Sequence, residues 1–220
     1  CFRPAEDIRA LRSLVREQAE LVSERSTWLR KMQKSLDQMN VRVHHAVSDI
    51  SGATGMRILR AIAHGERDPM VLASLRDPSC RKSLAEIAEC LRGTWREEHL
   101  FNLKSALTLY DHLHEQIARY EKEILSRLDT MHPEEHREAE PPQLANANKE
   151  ALIRKRGTAP MRQALFRLHG VDLCTIDAIN VDTALTFWSE IGPDLSSFAS
   201  EKHFVSYIRL APHLAVSGGK

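Results

Sequence analysis

Two long stretches of apolar residues at spacings of three and four are the feature that most limits how this chain can fold. The first stretch runs from Leu11 to Val43 and the second from Leu100 to Leu128. This spacing places the apolar side chains on one face of an α-helix. The first stripe is narrow and its other faces are charged, which is typical of a coiled-coil seam. We therefore expect an all-α protein built on a coiled-coil or helical hairpin, with no extended sheet.

Glycines and prolines between the two stretches predict three short helices. Residues 49–55 read as a break, followed by a helix over residues 56–63. Asp68-Pro69 opens a second short helix, because proline is favoured at the first helical position. Asp77-Pro78 is expected to open a third. The second long helix is expected to end near Met131.

Residues 132–148 differ from the segments on either side. They contain three prolines, Pro133, Pro141 and Pro142, and have no apolar periodicity, which is typical of a linker. The expected organisation is a coiled-coil and helical-hairpin region over residues 1–131, a linker over residues 132–148, and a small helical C-terminal domain over residues 149–220.

Charge is concentrated locally, although the whole chain is nearly neutral. The sequence has 31 basic and 30 acidic residues, so net charge gives no reason to expect nucleic-acid binding. Residues 149–169, however, carry six basic residues against one acidic residue. Clustered cations bind phosphates and release counterions, although a solvated charge run looks the same in sequence. The predicted nucleic-acid contacts are Arg154, Lys155, Arg156, Arg162, Arg167 and Lys220.

No metal site or membrane span is expected from the sequence. The four cysteines are scattered, which favours reduced thiols in the cytoplasm over disulfides or a zinc site. His44-His45 and His112-Leu113-His114 splay their rings around a helix, because metal-binding pairs on a helix lie four residues apart. Acidic residues such as Asp68, Asp172 and Asp194 are expected to be caps and turn residues. The chain begins at Cys1, from which we expect a fragment.

The C-terminal segment resembles a known family. Its order of motifs is Ser189-Glu190-Ile191-Gly192-Pro193-Asp194, then Leu210-Ala211-Pro212-His213, then Ser217-Gly218-Gly219-Lys220. This order is similar to the C-terminal transposase domain of the DEDD-type bacterial insertion-sequence transposases, the bridge-RNA-guided recombinases. Upstream, Asp49-Ile50-Ser51-Gly52 and Gly65-Glu66-Arg67-Asp68-Pro69 look like the long helical region of the same family.

The resemblance implies a function in DNA transposition and recombination. It makes Ser217 the catalytic nucleophile that attacks DNA, and it implies Mg²⁺ held by an Asp-Glu-Asp-Asp set in an N-terminal RuvC-like domain. That set has no counterpart in this sequence, so we carry over no metal ligand, expect no cofactor in the fragment, and expect it to be inactive alone. Implied partners are DNA, a structured guide RNA, and further copies of the chain assembled through the coiled coil. The implied location is the bacterial nucleoid.

The sequence departs from the family pattern in two places. Residues 176–188 correspond to a helix-hairpin-helix, in which backbone amides of a tight turn grip a phosphate. Ala178 and Asn180 stand where relatives have glycine, and Arg209 occupies another glycine position. A plain helix-turn-helix packed through Ile176, Ile179, Val181, Leu185 and Trp188 is an equal alternative. The alternative function is a non-enzymatic coiled-coil adaptor that binds nucleic acid or protein.

Overall fold

The protein is all-α, as the sequence predicts. The computed structural model describes residues 5–78, 80, 82–134, 138–192 and 194–208, and these residues form ten α-helices and no strand. The two longest helices are α1 (Glu6–Gln38) and α6 (Glu97–Met131), so the second long helix ends at the predicted residue. Over the described ranges, no helix has the length and apolar character needed to cross a membrane.

The described residues form two compact units. The central unit is Glu17–Glu121, and the terminal unit takes the residues up to Arg16 and those from Lys122 onward. The division therefore falls within α1 and α6, whereas the sequence placed a linker at residues 132–148. It falls there because the first turns of α1 and the last turns of α6 pack in a different core from the rest of each helix.

The central unit is built around the facing stripes of α1 and α6. Met32 and Leu36 of α1 are buried with Leu103 of α6, so these apolar positions face a core within the chain, whereas the sequence pattern favoured a coiled-coil seam. Three further helices close that core: α3 (Ala53–Ala63), α4 (Pro69–Ser74) and α5 (Leu84–Cys90), with the single turn α2 (Val43–Ala46) beside them. Helix α3 presents Ile58, Leu59 and Ile62, all fully buried.

The short helices begin where local hydrogen bonds satisfy their first amides. The Asp68 carboxylate accepts from the Met70 backbone N–H (2.7 Å), and Pro69 follows, as predicted for α4. Helix α5 begins later than Asp77-Pro78 suggests, because Ser83 and Glu86 form a reciprocal capping box. The Ser-x-x-Glu spacing in the sequence could have predicted that α5 begins here. Gly55 lies inside α3, which begins at Ala53, so the break expected over residues 49–55 is shorter than predicted. Glycine is required there because a β-carbon would collide with the backbone of Ile50.

The terminal unit contains four short helices and a 3-10 turn. These are α7 (Ala147–Arg156), α8 (Ala159–His169), the turn Leu173–Thr175, α9 (Val181–Ile191) and α10 (Glu201–Tyr207). Their core includes Leu11 of α1 and Leu128 of α6, together with Leu165 and Trp188. Leu144 is also buried in it, so part of the segment expected to be a linker packs into this unit.

Candidate nucleic-acid interface

The last turn of α7 presents three adjacent basic residues. Asn146 caps the start of α7 by accepting from the Asn148 and Lys149 backbone N–H groups, and Gly157 ends it in the left-handed conformation (φ 71°). Arg154, Lys155 and Arg156 are exposed, and none of them pairs with another described residue. Cations in a final turn also interact favourably with the helix dipole. The three groups are accessible to a polyanion, and their contact with nucleic acid stays a prediction.

Arg162 has a different environment from these three residues. It is only 5% exposed, and its Nε and Nη2 atoms donate to Oδ2 of Asp172 (2.9 and 2.6 Å). Its Nη1 atom donates to Oε2 of Glu150 (3.1 Å), and Nη2 also donates to the Pro142 carbonyl. Burial opposes the charged form, but the bonds and charge of Asp172 and Glu150 outweigh it and raise the pKa of Arg162. This guanidinium is occupied inside the unit, so we do not include it in the interface proposed below.

The other residues that the sequence predicted for the site are either partly buried or outside the described residues. Arg167 is partly buried, and it lies against residues 139–140 through the Ala139 carbonyl (3.4 Å) and the Glu140 carboxylate (3.8 Å). Ser217, Lys220 and Arg209 lie outside the described residues. The predicted nucleophile therefore stays a prediction.

The segment between α8 and α9 forms a tight turn at the position of the expected helix-hairpin-helix. The Ile179 N–H donates to the Ile176 carbonyl (3.3 Å), and Ala178 adopts φ 66°. Positive φ at the third position of a four-residue turn is where type II turns favour glycine. Asn180 has extended backbone and caps α9, accepting at Oδ1 from the Thr183 N–H (2.8 Å). Of the two non-glycine positions, only Ala178 takes the left-handed conformation.

Packing around this turn agrees in part with the helix-turn-helix alternative. Val181, Leu185 and Trp188 of α9 are buried, and Ile179 packs against the same core. Ile176 is 51% exposed, so it is not one of the packing residues expected from the sequence. Asp177 and Ala178 are exposed beside it at the tip of the turn.

Lys149 fixes this turn from α7. Its Nζ atom donates to the carbonyls of Cys174 (2.6 Å) and Ile176 (2.8 Å). Asp172 holds the same segment, because its Oδ1 atom accepts from the Cys174 N–H (2.9 Å), which confirms its predicted role as a cap. Counting basic residues could not reveal that Lys149 binds backbone carbonyls.

A second cation cluster was missed by the sequence analysis. Arg16 makes a two-pronged ion pair with the Glu190 carboxylate, with Nε to Oε1 at 2.7 Å and Nη2 to Oε2 at 2.9 Å. Arg12 donates to the Ser189 carbonyl (3.3 Å) and to the Glu190 carbonyl. These bonds satisfy the last carbonyls of α9, which have no partner within the helix. In the sequence, Arg12 and Arg16 belong to the charged faces beside the first apolar stripe, which gave no sign of these contacts.

Burial favours the neutral forms of two titratable side chains in the terminal unit, His169 and Cys174. Burial lowers the pKa of His169 to about 3, and its ring stacks on Trp188 with centroids 3.6 Å apart. Burial, with the charge of Asp172, raises the pKa of the Cys174 thiol to about 11, so the thiol is protonated and not a thiolate nucleophile at neutral pH. Among the residues described, no group of three or more His, Cys, Asp or Glu side chains could hold a metal ion.

Comparison with known proteins gives one family match. Residues 170–220 match the model described as the transposase IS116/IS110/IS902 family. No curated protein and no solved structure matches the chain. The match begins at the C-cap of α8 and includes the 176–180 turn, α9 and α10. The C-terminal quarter of the chain is therefore similar to a transposase family.

Proposed function

We propose that this chain contributes to DNA transposition by binding DNA through its terminal unit. The observation that carries the proposal is that the unit containing the transposase-like segment also presents Arg154, Lys155 and Arg156 to solvent. Adjacent cations attract a phosphate backbone without reading its sequence. We expect the end of α7 to supply the electrostatic part of the affinity.

We assign a second contact to the 176–180 turn. Its tip is exposed, and its backbone conformation resembles the turns that present amides to phosphate. The carboxylates of Asp177 and Asp182 lie on or next to this turn and disfavour a close approach of phosphate. We therefore expect the turn to add a contact set by its backbone geometry, with no favourable charge of its own, and α7 to supply the positive charge.

Fluorescence anisotropy with a labelled DNA duplex tests this division. Changing Arg154, Lys155 and Arg156 together to Gln should weaken binding to every sequence. It should also flatten the dependence of log K on log salt by about 0.9 for each phosphate that the protein no longer neutralises. The matched control changes Lys34, Arg96 and Lys104 of the central unit to Gln, which removes the same charge from exposed positions. Equal effects of the two triple variants would exclude a specific interface at α7.

We assign the nucleophile to Ser217 on the family resemblance alone. Attack by its hydroxyl on a phosphodiester would form a serine–phosphate ester, displace the oxygen of one DNA strand, and release the hydroxyl proton to a base. The described residues offer no carboxylate cluster that fits Mg²⁺, so none of these steps is routed through a metal. A full-length protein carrying this segment should give a covalent DNA adduct on denaturing gels. Persistence of that adduct in Ser217→Ala would refute the assignment.

The resemblance also implies a guide RNA and self-association. The cations of α7 suit RNA phosphates as well as DNA, so a structured RNA belongs in the same titrations as a competitor. A mutational test of self-association needs an exposed apolar residue on α1. Leu36 is unsuitable because it is buried in the central unit. Val22 on α1 is 38% exposed and remains available to a second copy. Val22→Lys should lower the sedimentation coefficient of an oligomer, whereas Ser23→Lys should not.

A further inference from the structure

Charged side chains that lie outside the 176–180 turn hold it in place. Burying charged groups costs free energy of folding, and the fold gains no other evident benefit from that cost. Ala178 is one of two non-glycine residues with positive φ in the described chain. Such conformations persist only when surrounding contacts fix them, and they cluster at functional sites. Here Lys149 of α7 binds the turn itself, and Arg162 of α8 binds Asp172, which lies just before it.

The contacts form one connected chain of hydrogen bonds. Arg162 on α8 binds Asp172, Asp172 binds the Cys174 N–H, and Lys149 on α7 binds the carbonyls of Cys174 and Ile176. The Ile176 carbonyl is also the acceptor that closes the turn with the Ile179 N–H. Lys149 and the turn therefore share one carbonyl oxygen, so loss of Lys149 acts directly on the bond that closes the turn.

Energetics favour a positioning role for this chain of contacts over a purely stabilising one. A buried ion pair such as Arg162–Asp172 gives little net stability compared with apolar side chains of similar size, because both charges lose their hydration. In some proteins a buried ion pair serves to specify one conformation over others, and we adopt that role for Arg162–Asp172 as a hypothesis. An exposed turn with a left-handed alanine is a place where alternative conformations compete.

We propose that Lys149 is a positioning residue that holds the 176–180 turn in its DNA-binding conformation, with Arg162 and Asp172 as its support. The inference rests on the proposed contact between this turn and DNA. Two of the three N–H donors of Lys149 are engaged by carbonyl oxygens, so we assign its ammonium group to the turn and not to phosphate. In this proposal, some of the six basic residues at 149–169 contact DNA, and others fix the conformation of the surface to which DNA binds.

A comparison of Lys149→Met with Lys155→Met tests the proposal in the whole chain. Both variants remove one positive charge from α7, but Lys155 is exposed and has no partner among the described residues. Lys155→Met should reduce the salt slope of DNA binding by about 0.9. Lys149→Met should weaken binding by about tenfold, the equivalent of one charge-assisted hydrogen bond, and leave the slope unchanged.

A double-mutant cycle identifies the route of the effect. In the Ala178→Gly background the left-handed turn no longer needs to be enforced, so Lys149→Met should weaken DNA binding by less than about threefold. An equal loss in both backgrounds, or a salt slope that falls as it does for Lys155→Met, would overturn the positioning role. Circular dichroism of each variant establishes that it is folded before binding is measured.

Hydrogen exchange separates this inference from the proposed function. The Ile179 amide should exchange faster in Lys149→Met than in the parent chain or in Lys155→Met, because the Ile176 carbonyl that it binds is no longer held in position by Lys149. This readout needs no DNA. If the parent chain fails to bind DNA, the proposed function fails, and Ile179 exchange still decides whether Lys149 holds the turn. Unchanged exchange at Ile179 would refute the inference even if DNA binds.

Discussion

Replacing Ala178 with Gly should stabilise the terminal unit, although glycine usually destabilises a folded protein. A left-handed conformation costs a residue with a β-carbon about 1–2 kcal/mol. Glycine avoids that cost but gains about 0.4–1 kcal/mol of additional conformational freedom in the unfolded chain. With φ of 66° at Ala178, the difference predicts a net stabilisation of about 0.5–1 kcal/mol.

Two control substitutions fix the sign of this effect. Ala151→Gly, at an exposed position inside α7, should destabilise the unit by about 1 kcal/mol, because glycine there has only its entropic cost. Gly157→Ala should also destabilise it, by about 0.5–1 kcal/mol. Gly157 has φ 71° and no atom within 4 Å of an added β-carbon, so only the backbone conformation is changed.

The assay must report on the terminal unit alone. The chain has three tryptophans, of which Trp28 and Trp95 lie in the central unit and Trp188 in the terminal unit. In a background with Trp28→Phe and Trp95→Phe, urea unfolding followed by Trp188 fluorescence gives the stability of the unit that contains the turn. A loss of stability in Ala178→Gly equal to that in Ala151→Gly would show that residue 178 carries no left-handed strain.

Two further substitutions test the interior of the same unit. Arg162→Met should cost about 3–5 kcal/mol in urea unfolding, because Asp172 remains buried without its partner, and adding Asp172→Asn should recover much of that loss; a loss below about 0.5 kcal/mol would place Arg162 at the surface instead. For His169, with a folded pKa of about 3 against about 6.5 unfolded, stability is present above pH 6.5 and is lost as pH falls below it, at up to about 1.4 kcal/mol per pH unit. His169→Phe keeps an aromatic ring on Trp188 and should reduce the loss between pH 7 and pH 5 by about 2 kcal/mol, whereas the exposed His112→Phe should not change it.

The helices could be predicted from the sequence because apolar periodicity directly reflects burial. Leu11, Met32 and Leu36 recur on one face of α1, and all three are buried. The pattern could not show what covers each position. A narrow stripe has the same period whether a second copy or the same chain packs against it. The structure covers Leu11 and Leu36 within the chain itself, in different units.

Local signals were informative wherever the partner lies within a few residues. Asp68 and Asp172 cap the segments that follow them, as their positions in the sequence predict. The boundary of the terminal unit could not be predicted from the sequence. It depends on Leu11, Leu128 and Leu144, which are distant in sequence and meet only in the folded core.

The charge at residues 149–169 shows why an interface could be predicted only in part. In sequence, Lys149, Arg162 and Arg167 are indistinguishable from the three cations at the end of α7. In the fold, Lys149 binds two carbonyls, Arg162 binds two carboxylates, and Arg167 lies against Glu140. A charged side chain can satisfy its hydrogen bonds inside the protein or outside it, and only the positions of distant acceptors decide which. In the interface that we propose, three of the six cations of this segment face phosphate, and the salt dependence of DNA binding should reflect three cations instead of six.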